Sequence, residues 1–159
     1  MGLDMYLEKN IYVGANYEHR NVKGVIELTQ DINPIPINLS RVNYIIERVG
    51  YWRKANAIHK WFVDNCGGGE DECQRMYITD DNLNELLALC KEVKANPSKA
   101  GELLPTEGGF FFGSTDYDEW YFEDIDNTIA ILEAVLAEIA TEDAQNPFNC
   151  AEYYYQASW

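Results

Sequence analysis

The sequence predicts an α+β domain, a small mixed or antiparallel sheet covered by two or three helices, and three observations carry that expectation. Residues Leu3 to Val13 alternate apolar and polar, as a half-buried strand does. Two later stretches carry apolar residues at helical spacing, one around Leu83–Val93 and one around Ile125–Ile139. Strand and helix signals follow one another through all 159 residues without an internal repeat or a low-complexity linker, so residues 1–159 are expected to form one domain.

In the first strand Leu3, Met5 and Leu7 occupy one side, with Asp4, Tyr6 and Glu8 on the other. Val25–Thr29 reads as a second strand, joined to the first through Asn16–Lys23. Asn33-Pro-Ile-Pro-Ile37 is barred from a helix interior, because its two prolines lack N–H donors and push their predecessors toward extended geometry. Ser40 suits the cap of a short helix reaching Val49, while Val42, Ile45, Ile46 and Val49 suit a strand equally. Both readings stay open.

Tyr51, Ala55, Ile58 and Phe62 recur at helical spacing and predict a helix over 51–65, ended by Gly67-Gly-Gly69. Arg75–Ile78 reads as a short strand. Thr79-Asp80-Asp81 offers a cap and favourable charge to a helix whose stripe is Leu83, Leu86, Leu87, Cys90 and Val93, closed by Asn96-Pro97. Gly109-Phe-Phe-Phe-Gly113 looks more strand than helix. A long helix is expected from about Tyr121 to Thr141, with Ile125, Ile129, Leu132, Leu136 and Ile139 on one face, and the tyrosine-rich Ala151–Ala157 as a final strand.

Composition excludes several classes. With 47% apolar and 25% charged residues the chain is neither wholly disordered, nor collagen-like, nor a disulfide mini-protein. No apolar run approaches the ~20 residues of a membrane-spanning helix. Asp4 and Glu8 fall where a signal peptide needs a basic start and an apolar core, and Tyr6 falls where a myristoylation site wants Ser or Thr. A cytoplasmic protein is expected.

Charge is distributed unevenly. Residues 1–60 hold eight basic and six acidic side chains, whereas residues 61–159 hold four and 21. After Lys99 thirteen carboxylates follow without one Lys or Arg, within a formal charge of −15. Phosphates and anionic membranes are repelled by such a surface, so neither direct nucleic-acid binding nor membrane binding is expected. A basic protein is its natural complement. For most acidic proteins the charge serves solubility alone. The sharper reading is nucleic-acid mimicry, and its best segment runs from Asp116 to Asp126. There Asp116, Asp118, Glu119, Glu123, Asp124 and Asp126 are interleaved with Tyr117, Trp120, Tyr121 and Phe122, four aromatics available as anchors, of which Trp120 is expected at the partner. Reversing Asp118, Glu119, Glu123 and Asp124 is expected to abolish binding and spare the fold.

A second constellation suggests a ligand pocket. On the helix expected at 51–65, Trp52, Asn56, His59 and Val63 form one stripe beside Arg53 and Lys60. Arg and Lys there suit an anionic group, His an acid or base, and Asn its orientation. The bland alternative is a helix whose His and Asn satisfy buried backbone groups. Gly108–Thr115 supplies glycines for close approach and Ser114 as a hydroxyl donor, but neither GxxxxGK[ST] nor GxGxxG is present. Cys66, Cys73, Cys90 and Cys150 contain no CxxC pair, and Asp116, Asp118 and Glu119 lack the spacing of a calcium loop. No metal and no cofactor are expected, and the missing nucleophile signatures point away from an enzyme.

Four blocks together resemble a family of small proteins common in bacteriophages and prophages. They are Met1-Gly-Leu-Asp-Met-Tyr-Leu7, Gly50-Tyr-Trp-Arg-Lys-Ala-Asn-Ala-Ile-His-Lys-Trp-Phe62, Gly109-Phe-Phe-Phe-Gly-Ser114 with Asp116-Tyr-Asp-Glu119, and Gln156-Ala-Ser-Trp159. The resemblance implies a phage setting and residence in the host cytosol. Small phage accessory proteins often act on host machinery or defences by binding. The expected function is therefore inhibition of a host defence nuclease, anti-CRISPR or anti-restriction, through an acidic surface presented to a basic host protein. The alternative is a small-molecule binder, a nucleotide-signal sponge or an enzyme, built on Arg53–His59 and Gly109–Ser114.

Overall fold

A computed structural model describes residues 2–14, 27–31, 33–146 and 151–159. The alternation at the N-terminus becomes strand β1, Asp4–Tyr12, with Met5 and Leu7 buried and Asp4, Tyr6 and Glu8 half-buried on the opposite face. Two strands flank it, both antiparallel: β4 (Tyr44–Arg53) and β6 (Ala151–Ser158). A short β5 (Met76–Ile78) extends the sheet beyond β6, giving the order β4-β1-β6-β5. The sheet is thus antiparallel, and the α+β class is what the chain adopts. A separate two-residue pair, β2 (Thr29–Gln30) with β3 (Asn33–Pro34), holds only the end of the strand expected at 25–29; Val25 and Ile26 lie outside the described residues.

The segment left open at 40–49 is a strand from Tyr44. Only Leu39–Arg41 forms a helical turn, and Asn38 rather than Ser40 caps it, accepting from the Ser40 N–H. The helix expected from Tyr51 starts instead at Asn56. Tyr51, Trp52 and Arg53 complete β4, paired with Tyr6, Met5 and Asp4. Lys54 then turns the chain at φ 61°, and α1 runs Asn56–Cys66. The spacing of Tyr51, Ala55, Ile58 and Phe62 fits a helix, but pairing with a strand more than forty residues earlier overrides local period. Gly67 stops α1, its N–H donating to the Phe62 and Val63 carbonyls.

Helix α2, Asp80–Ala95, opens with a reciprocal cap. Thr79 accepts from the Asn82 N–H while the Asn82 side chain accepts from the Thr79 N–H. Leu83, Leu86, Cys90 and Val93 are buried as expected, with Leu87 at the margin. A turn at Pro97–Lys99 leads into the short α3, Ala100–Leu103. Helix α4, Glu119–Gln145, is longer at both ends than its apolar stripe suggests, and its most buried line is Tyr121, Ile125, Thr128, Leu132 and Val135. Ile129, Leu136 and Ile139 are only partly buried beside that line. Between α3 and α4 the run Gly109–Gly113 is no strand. Phe110 is 96% exposed in a turn tied down where the Leu3 N–H donates to the Phe111 carbonyl at 3.1 Å.

Helices α2 and α4 pack together and are clipped outside by Lys91–Glu133 at 2.7 Å and Lys94–Asp126 at 2.6 Å. The core lies between this layer and the inner sheet face, where Phe62 stacks on Tyr155 with ring centroids 4.1 Å apart. Gly50 is required where α4 crosses β4. A Cβ there would meet the Ile131 side chain at 2.9 Å and Leu7 Cβ at 3.2 Å. Lys9 is the buried cation of the inner face, bridged to Glu138 and Glu142 of α4. Burial alone would lower its pKa, but hydrogen bonds to the two carboxylates outweigh it and hold the ammonium charged.

Candidate binding cleft

The β4–α1 junction, the loop before α4 and the first two turns of α4 enclose a cavity of about 330 Å³. The junction contributes Arg53, Lys54 and Asn56. Its shape follows from the left-handed Lys54, which lets β4 turn sharply into α1 and brings Lys54 against Gly113 of the loop. The loop contributes Thr106, Gly113, Ser114 and Asp116. Helix α4 contributes Asp118, Trp120, Glu123 and Asp124 above an apolar floor that includes Ile58 and Ile125.

Asn56 holds the loop in place. Its side-chain amide donates to the Phe112 carbonyl at 3.0 Å and the Ser114 carbonyl at 2.7 Å, and its oxygen accepts from the Glu107 N–H at 3.1 Å. The Thr106 hydroxyl adds a bond to the Thr115 carbonyl, and the Ser114 hydroxyl accepts from the Asp116 N–H. Asp118 is the cap of α4, accepting from the Trp120 and Tyr121 N–H groups at 3.1 and 3.2 Å. Asp124 sits deeper. Burial, reinforced by the neighbouring Glu123 and Asp118 charges, pushes its carboxyl up to about 6. Trp120 lines the same cavity with 66% of its surface exposed.

Residues expected to form two separate sites therefore share one cleft. Of the acidic segment, Asp116, Asp118, Trp120, Glu123 and Asp124 line it. Glu119 is exposed outside it, and Asp126 turns away to Lys94. Two of the four aromatics expected as anchors face inward. Tyr121 is buried with its hydroxyl donating to the Leu104 carbonyl, and Phe122 packs on the core. The capping role of Asp118 and the burial of Asp124 also mean that reversing both would disturb the fold.

Of the expected ligand pocket, Arg53, Asn56 and Ser114 line the cleft, but Trp52 and His59 do not. Trp52 belongs to β4, faces the core, and donates to the Thr128 hydroxyl at 2.9 Å. His59 is wholly buried. Its Nδ1 lies 2.7 Å from the Tyr155 hydroxyl and its Nε2 3.0 Å from Asp71, and its ring meets Phe112 edge-on. The stripe Trp52-Asn56-His59-Val63 fails because its first member is in a strand. Sequence reasoning missed Lys54, whose left-handed turn has no signature in a lysine, and Asp71, which lies in a polar loop twelve residues from His59.

Burial raises the Cys66 thiol to about 11 and the Cys90 thiol to about 12, which keeps both protonated and poor as nucleophiles near neutral pH. Among the described residues no three His, Cys, Asp or Glu side chains are grouped to hold a metal ion. His19 and Cys150 lie outside the described residues. No described helix is long and apolar enough to cross a membrane. No family model matches the chain, and no curated protein or solved structure matches it.

Proposed function

We propose that the chain is a phage accessory protein that works by binding in the host cytosol, inhibiting a defence nuclease of the CRISPR or restriction kind. Its acidic surface takes the place of nucleic acid on a basic partner. The observation that supports this reading best is the cleft at the start of α4, which four carboxylates and an exposed tryptophan line together. Carboxylates in such a recess suit arginine and lysine side chains that otherwise hold phosphates, and Trp120 offers a flat face to a guanidinium. The phage setting rests on the resemblance of the four sequence blocks.

The test uses exposed positions only. A tagged protein is expressed in its host and recovered at low salt, beside an Asp116→Lys/Glu119→Lys/Glu123→Lys variant that spares the Asp118 cap and Asp124. A basic nucleic-acid-handling protein should co-purify with wild type, leave as salt is raised, and be absent from the variant at unchanged melting temperature. Equal recovery with the variant overturns mimicry through this cleft.

One observation favours a second reading. Arg53 and Lys54 share the cleft with the carboxylates, so an anionic small molecule has cations to meet there. A nucleotide or other metabolite released from the purified protein, lost in Arg53→Ala, would select that reading.

A further inference from the structure

Strand β4 is an outer strand of the sheet, and the side chains of its first half are largely exposed. Val49 is passed over in the register between Leu7↔Gly50 and Glu8↔Arg48, so β4 has two parts. After this bulge Gly50 and Trp52 are buried beneath α4. Before it, Tyr44, Ile46, Glu47 and Arg48 are exposed and Ile45 is half-buried. Among the described residues the half-strand pairs with β1 alone. Among the described residues no backbone hydrogen bond reaches its outer edge. Natural sheets shield long edges with lysine, proline or covering segments. Here the edge instead presents Tyr44, 51% exposed, and Ile46, 54% exposed.

We propose that this edge pairs with the same edge of a second copy, antiparallel about a twofold axis at Ile46, to make one continuous eight-stranded sheet. The side chains select that occupant because they complement themselves. Tyr44, Ile46 and Arg48 lie on one face of the strand, opposite Tyr12, Asn10 and Glu8 of β1. Centring the axis on Ile46 sets Ile46 against Ile46 and places each Tyr44 opposite an Arg48 of the other copy. Arg48 already lies over the Tyr6 ring at 3.9 Å, and a second ring on its free side completes a stacked sandwich. On the other face Ile45 meets Glu47. An axis at Glu47 would oppose two carboxylates, and one at Arg48 two guanidinium groups, so charge disfavours both of those registers. The edge also avoids the acidic helical layer, where two copies with a formal charge of −15 each repel. The proposal does not depend on the cleft, which opens at the opposite end of β4.

Sedimentation equilibrium of the full chain, from micromolar to submillimolar concentration, tests it. The expected species has twice the 18.3 kDa of one chain and becomes monomeric in Ile46→Lys, whose melting temperature should equal that of wild type at dilutions where both are monomeric, because Ile46 is exposed in the single chain. Ile46→Cys should yield a covalent dimer under mild oxidation that wild type, with its own cysteines, does not form. A wild-type monomer at every concentration, a dimer that survives Ile46→Lys, or a dimer without the Ile46→Cys cross-link would each overturn it.

Discussion

Asn56 shows how much one side chain can decide. Both of its amide protons and its oxygen are spent on the loop that forms one wall of the cleft. Asn56→Ala leaves those backbone groups poorly paired, and a loss of about 2–3 kcal/mol is expected in urea denaturation. Asp124 works in the opposite direction. Its folded pKa, about 6, lies above its ordinary value of 3.8, so the carboxyl favours the folded state while protonated, and that contribution is lost as pH rises from about 4 through 6. Asp124→Asn should therefore melt higher than wild type at pH 7.5 and match it at pH 4. A residue's type was readable in advance at both positions, but its service was not. The bland reading of the Arg53–His59 region, in which His and Asn satisfy buried backbone groups, describes Asn56, whereas His59 is paired with the side chains of Tyr155 and Asp71. What distinguishes the two readings is the position of Tyr155 and the 106–115 loop, both distant in sequence.

At the scale of elements, local signals sufficed wherever capping or alternation was self-contained. Strand β1, helix α2 with its Thr79 cap, the glycine stop after α1 and strand β6 were all legible. Boundaries failed where a distant partner decided them. The β4–α1 junction lies three to five residues later than periodicity suggests because β1 captures Tyr51–Arg53. Phe110–Phe112 look like a strand but have no strand to pair with and serve as a turn. Two substitutions probe these joints. Gly50→Ala drives a methyl into Ile131 and should cost about 1–3 kcal/mol, as overpacking does. Asp118→Ala removes the cap of α4 and should cost about 1 kcal/mol. Both are measured by chemical denaturation, and the second should also loosen Trp120, detectable as a red shift of tryptophan emission.

For the whole molecule, the sequence announced an acidic half and a balanced half, and the fold turns this into geometry. The acidic residues lie mostly on α2, α4 and the loops around them, and the few lysines there are committed to bridges such as Lys91–Glu133 and Lys94–Asp126. The excess repels itself. Stability should consequently rise as salt is increased from low to physiological ionic strength, where the screening length falls to about 8 Å, and the denaturation midpoint checks this. What the sequence could not reveal is that the acidic segment and the Arg53 region meet, since that depends on α4 crossing the sheet at Gly50.

The register of the sheet carries a topological consequence. Asp4 lies beside Ser158, so residues at the two extremes of the described chain are immediate neighbours on adjacent strands. A tight turn joining them would convert β6 and β1 into a hairpin. The chain could then be reopened between Gly68 and Gly69, where added Cβ atoms meet nothing within 4 Å. In such a circular permutant the most distant pairing in the sheet becomes the most local one. The loop-closure entropy that delays sheet assembly would shrink, and folding would accelerate while the finished architecture stayed the same.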